Sequence, residues 1–139
     1  MEQTEYIAYE FAKKLKPDDV VALFGDLGAG KTAFVRGLAR GLGVTEYVTS
    51  PTFVILNEYE GDMTLYHFDM YRLEGADEDS LTDVGYFDCI YADGVCAIEW
   101  SEYITDYLPQ SYYKVTLTLT DAEAALSRRI NIEKVEEGV

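Results

Sequence analysis

Residues 25–32 of this 139-residue chain, Gly25-Asp26-Leu27-Gly28-Ala29-Gly30-Lys31-Thr32, match the pattern G-x-x-x-x-G-K-[ST]. Such a segment belongs between a buried strand that enters it and an amphipathic helix that leaves it. Both are written into the sequence. Val20-Val21-Ala22-Leu23-Phe24 is apolar at every position, as a parallel strand covered on both faces must be. From Lys31 to Leu42, Phe34, Leu38 and Leu42 form one helical stripe beside Val35 and Ala39, and Gly43 is a natural stop. Arg36 and Arg40 are expected to face solvent.

The glycines let the main chain curl so that successive N–H groups, from Gly25 through Ala33, aim at one anionic site. The helix adds unpaired amides and the positive end of its dipole. Lys31 then reaches the β- and γ-phosphates of a nucleotide, and the Thr32 hydroxyl ligates Mg²⁺. An ordinary glycine-rich turn would leave Lys31 and Thr32 unexplained.

The rest of the chain supplies layers around this unit. Thr4 to Lys16 reads as a helix with Ile7, Phe11 and Leu15 on its apolar face, Ala8 and Ala12 beside them, and Thr4 as N-cap. Phe53–Tyr59 and Thr64–Phe68 flank Glu60-Gly61-Asp62 as a hairpin. One or two short helices are expected in 77–90. Val95–Ile98 is a second buried strand, ending at Glu99-Trp100, and Ser101 is placed to cap a short helix with Ile104 and Leu108 inward. Val115, Leu117 and Leu119, then Ile130 and Ile132, alternate with polar residues, as in two one-sided strands that pair at the far edge of the sheet. The expected fold is a single α/β domain over residues 1–139, a P-loop NTPase-like three-layer α/β/α arrangement. Its mixed sheet has a parallel centre (20–24 and 95–98) flanked by antiparallel arms, with the site at the carboxyl ends of the central strands.

Phosphate chemistry needs a second holder for Mg²⁺ and a group to position water, and an acid ending a neighbouring strand is the usual device. Glu99, at the end of the buried run, is the candidate for the metal side. Asp69, after Leu65–Phe68, is the second acid. Either could instead cap the turn that follows it. Thr49-Ser50-Pro51-Thr52-Phe53 could sense the γ-phosphate as a switch loop does, or form a polar turn. His67, the sole histidine, reads as a packed and hydrogen-bonded side chain. Trp100, the sole tryptophan, packs against the nucleotide site or fills the core edge. Cys89 and Cys96 lack a nearby histidine, so a metal site there is not expected.

Charge narrows the partners. Lys and Arg total 11 against 26 Asp and Glu, a net charge of −15. Residues 1–50 carry 6 basic and 7 acidic side chains, residues 51–139 carry 5 and 19, and no Lys or Arg lies between Leu73 and Tyr113. That surface repels phosphate backbones and anionic lipid. It is either a solvated face or a docking face for a basic partner protein. No apolar run approaches the ~18 residues of a membrane span. With an acidic start and only two cysteines, the expected location is the cytoplasm, with no membrane association.

Taken in order, Gly25–Thr32, Ser50-Pro51-Thr52-Phe53, Asn57-Glu58-Tyr59, His67-Phe68-Asp69-Met70-Tyr71-Arg72-Leu73 and Ile98-Glu99-Trp100 make the chain resemble the TsaE (YjeE) family of small P-loop ATPases. The resemblance implies an ATPase subunit required for threonylcarbamoyladenosine on tRNA, acting with the TsaD and TsaB proteins and resetting that complex between turnovers. It implies ATP and Mg²⁺ as cofactors, with Lys31 and Thr32 as phosphate and Mg²⁺ residues and Glu99 as the metal-associated acid. It also implies that Asp69 and Trp100 are required, that Thr52 belongs to the switch-like loop, and that Thr4 lies near the adenine, beside its reading as a helix cap. Only Arg128, Arg129 and Lys134 are basic beyond Lys114, so tRNA is expected to be met only indirectly, through the complex. ATP itself rests on the resemblance, although no Asn-Lys-x-Asp segment is present to read guanine. A small-molecule kinase and a nucleotide-dependent assembly module without hydrolysis are the alternative functions. A kinase usually needs an arginine-bearing lid, which 73–113 lacks.

Overall fold

The strand entering the glycine-rich segment is β1 (Val20–Gly25), and the helix leaving it is α2 (Lys31–Gly41). The computed structural model that places them describes residues 3–25, 30–49, 55–75, 77–120 and 127–136. Ahead of them lies α1 (Gln3–Ala12). After them come β2 (Leu56–Tyr59), β3 (Leu65–Asp69), α3 (Glu78–Asp83), α4 (Tyr86–Cys89), β4 (Val95–Glu99), β5 (Ser111–Thr120) and β6 (Ser127–Glu136). Among the described residues these strands form one sheet in the order β2-β3-β4-β1-β5-β6.

The sheet is mixed, with α-helices on both faces, but its parallel part is wider than the sequence suggests. β1 runs parallel to both β4 and β5, and β3 runs parallel to β4. Only the outermost pairs, β2 with β3 and β5 with β6, are antiparallel. The expected hairpin and far-edge pairings are antiparallel, but the inner strand of each, β3 and β5, runs parallel to the centre rather than antiparallel to it. Alternation in β5 reports how many of its faces are covered, not its direction. Val115 and Leu117 enter the core while Thr116 and Thr118 stay half-exposed.

One face of the sheet packs on α1 and α2 through Val21, Leu23, Leu65, Val95, Ala97, Val115 and Leu117. The other packs through Val20, Phe68, Cys96 and Ile98 on Leu81, Tyr86 and Ile104, and the Tyr86 hydroxyl donates to the Tyr107 carbonyl at 2.9 Å. Two short helices do fall in 77–90.

The first helix keeps its expected apolar face except at Ile7. It buries Thr4, Ala8, Phe11 and Ala12, while Ile7 is 37% exposed. The partner decides this. A Cβ on Gly41 of α2 would stand 2.5 Å from the Ala12 Cβ, and one on Gly37 would stand 2.7 Å from the Ala8 Cβ. A helix pair that approaches so closely accepts small side chains at the crossing and turns Ile7 outward. Thr4 lies inside the first turn rather than at its cap. Arg40 faces solvent as expected, but Arg36 is half-buried and donates from Nε to the Val48 carbonyl at 2.9 Å. Ser101 caps no helix. It is buried in the first of two 3-10 turns, Ser101–Tyr103 and Thr105–Tyr107, and its hydroxyl donates back to the Ile98 carbonyl at 2.8 Å.

Candidate functional site

Because β3, β4 and β1 lie side by side and run parallel, their carboxyl ends converge on the start of α2. At the end of β1, Gly25 adopts φ +142, and a Cβ there would run into the Leu117 carbonyl of β5. No other residue fits. Gly30 turns the chain into α2 in the left-handed region, with φ 97, and offers no side-chain cap. The amides of Lys31, Thr32 and Ala33 thus begin the helix with no carbonyl inside it to receive them. Asp26, Leu27, Gly28 and Ala29 lie outside the described residues, as do Ser50, Pro51 and Thr52.

Lys31 is only 5% exposed. Its ammonium donates to the Gly25 carbonyl at 2.8 Å and stands 3.3 Å from the centroid of the Trp100 ring. Trp100 is held for this by a left-handed turn, φ 59, that lifts the chain off β4. Its indole stacks on Tyr103 at 5.6 Å and meets Tyr71 at 5.1 Å. Burial beside Glu74 raises the Tyr103 phenol above its ordinary range. Trp100 packs at the edge of the core and also meets Lys31.

The Thr32 hydroxyl meets both carboxylate oxygens of Glu99, each at 3.2 Å. Glu99 is buried at the end of β4. Asp69 is its register partner on β3. The two acids behave differently. Glu99 meets Thr32 at the start of α2, whereas Asp69 Oδ1 accepts the Tyr71 N–H at 3.0 Å and so caps the turn that follows it. Thr4 is buried in the first turn of α1. Its neighbour Glu5 packs on Gly37, six residues along α2 from Lys31.

Two neighbours went unseen in the sequence. His67, fully buried, places Nε2 2.5 Å from Glu99 Oε2. It is packed and hydrogen-bonded as expected, but its partner is the site carboxylate. Strand parity carried that signal, since His67 and Glu99 follow Leu65 and Ala97 on the face that meets α2. Glu102 receives the Gly25 N–H at 3.4 Å, and nothing in its sequence surroundings marks it.

The strand-end acid facing a helix-start threonine is the arrangement to compare with known proteins. The sequence model of the family described as threonylcarbamoyl adenosine biosynthesis protein TsaE matches residues 1–130. The chain belongs to the TsaE family. The tRNA threonylcarbamoyladenosine biosynthesis protein TsaE of Treponema pallidum is 50% identical over 105 residues, covering 76% of this chain and 75% of that one. Its counterpart in Bacillus subtilis is 45% identical over 117 residues, covering 84% and 72%. The crystal structure of Bacillus subtilis YdiB superimposes with a TM-score of 0.72 at 36% identity, covering 97% of this chain and 80% of that one. The TsaE fold is thus a P-loop NTPase-like α/β fold, as expected. Among the described residues no helix is long and apolar enough to cross a membrane.

Proposed function

We propose that this TsaE-family chain is a Mg²⁺-dependent ATPase subunit. It serves threonylcarbamoyladenosine modification of tRNA in the cytoplasm together with TsaD-like and TsaB-like proteins, and it meets tRNA only through them. The observation that carries the reading is the Thr32 hydroxyl set against the Glu99 carboxylate at 3.2 Å, where α2 begins and β4 ends. One hydroxyl and one carboxylate are few donors for a protein-only cation cage. They suit Mg²⁺, which keeps several waters and completes its shell with substrate phosphates. Held by Thr32 and Glu99, the ion would neutralise charge building on the β- and γ-phosphates.

The chain's own groups do the remaining work. Lys31 brings one ammonium to the phosphates, and the Trp100 face and the Gly25 carbonyl order it before the nucleotide arrives. Amides from the loop through Ala33 bind the phosphate oxygens. Asp69, paired in register with Glu99, orients water at the open end of the sheet. The adenine preference follows the family likeness. The acidic second half repels tRNA and steers the chain toward a basic partner surface.

The test is phosphate release with calorimetric nucleotide binding, run on the chain alone and with the two partner proteins. Lys31→Ala is expected to abolish nucleotide binding. Glu99→Gln should still bind MgATP while turnover falls by about 100-fold or more, and the partners should stimulate the parent chain. Turnover indifferent to both partners, or tRNA modification that survives Glu99→Gln, refutes the ATPase role.

A further inference from the structure

We propose that His67 is a positioning residue for Glu99. By holding Oε2 it leaves Oε1 as the oxygen that serves the metal side of the site. The inference rests on the Mg²⁺-nucleotide reading above. His67 lies in β3 and Glu99 in β4, on parallel neighbouring strands in which His67 is level with Ala97. The histidine therefore reaches Glu99 diagonally, from the core side. A carboxylate only accepts, so Nε2 carries the hydrogen and donates it to Oε2 at 2.5 Å. Nδ1 meets no partner among the described residues. A leucine would fill the same buried place without an unsatisfied nitrogen, which carries a free-energy cost. The contact that the imidazole does make is with the site acid.

The two hydrogen-bond donors to Glu99, Thr32 and His67, are unequal. Thr32 sits 3.2 Å from both oxygens, long against the usual 2.7–2.8 Å or so of an O–H···O bond. That shared contact is weak, and it is surrendered when the hydroxyl turns toward a cation. The His67 bond is short and addresses one oxygen only. It is the contact that survives ligand binding, and it sets the plane of the carboxylate. Hydrogen-bond partners of this kind, one step behind a metal ligand, orient the ligand itself.

The experiment uses three variants of the full chain. His67→Gln keeps an N–H near the reach of Nε2. His67→Leu removes it at similar volume. His67→Asn stays polar but is too short to reach Glu99, and carries the comparison if His67→Leu does not fold. Each is titrated calorimetrically with a non-hydrolysable ATP analogue with and without Mg²⁺, and its thermal midpoint is measured without nucleotide. The Leu and Asn variants are expected to need about 10–100-fold more Mg²⁺ for tight binding, with Mg²⁺-free affinity within about twofold of the parent. The Gln variant should recover most of the loss. An unchanged Mg²⁺ requirement in the Leu and Asn variants overturns the inference. So does a Gln variant as impaired as the Leu variant at an equal thermal midpoint. A parent chain without Mg²⁺-dependent nucleotide binding overturns the ATPase reading and this inference with it.

Discussion

Gly37→Ala places two physical effects in direct opposition on α2. In an exposed helix the substitution would stabilise by about 1 kcal/mol through propensity. Here the new Cβ would stand 2.7 Å from the Ala8 Cβ and collide with the Glu5 backbone. Contact at Ala8 falls 0.7 Å short of the 3.4 Å at which ordinary packing begins. The obstacle is main chain, so no side-chain rotation relieves it and α1 must lift away. That movement loosens Ala8, Phe11 and Ala12, all buried at this crossing. Overpacking costs about 1–3 kcal/mol in general, and a rigid backbone obstacle puts this case at the top of that range. With the propensity gain subtracted, the net loss is about 2 kcal/mol. For a chain of this size that lowers the thermal midpoint by roughly 8 °C and the urea midpoint by about 1 M. Arg40→Ala, on the exposed side of the same helix, is the control and should stay within about 0.5 kcal/mol of the parent. A Gly37→Ala chain as stable as the parent, or more so, would show that helix propensity prevails and that the crossing is not close-packed.

Trp100→Ala removes the ring beneath the Lys31 ammonium. A cation–π contact of about 0.5–2 kcal/mol implies roughly 2–30-fold weaker MgATP binding by calorimetry, and Trp100→Phe should lose less; equal affinity in all three chains would refute the preorganising role. Burial pushes the Cys96 thiol up to about 12 and raises that of Cys89 as well. Neither should react with a disulfide reagent at pH 8 until the chain is unfolded, and rapid labelling of the native protein would contradict their packing. Asp77 caps α3 by accepting the Ser80 N–H and hydroxyl, each at 3.0 Å, and these bonds hold its carboxyl below the ordinary aspartate range. The cap is intact above the unfolded aspartate pKa near about 3.9 and is lost as pH falls through the lower folded value. Hydrogen exchange in α3 should accelerate on that acid side in the parent and show no such step in Asp77→Asn.

Much of the site was legible before any fold was known. The glycine pattern, the buried strand and the amphipathic stripe of α2 are local features, and local sterics and periodicity report them well. Glu99 was legible because it ends a run too apolar to be anything but interior. Asp69, read as the second acid, does lie level with Glu99, and its Oδ1 accepts the Tyr71 amide of the turn that follows. The exposure of Ile7 has a plain cause. Ala8 and Ala12 stood beside Ile7 in the expected face, and the close crossing with Gly37 and Gly41 is centred on those small residues, which leaves Ile7 at its edge. Ser101 likewise had a hydroxyl suited to a cap, and it found the Ile98 carbonyl instead.

The amino-acid order by itself determined the glycines at the two ends of the loop, the elements on either side of it and the acid that ends the second buried strand, because each follows from interactions within a few residues along the chain. Strand direction in β3 and β5, and the meeting of His67 with Glu99, were decided only in the tertiary structure. Side-chain alternation records how many faces are covered but is blind to which way a strand runs. A contact across 32 positions exists only once two parallel strands have come into register.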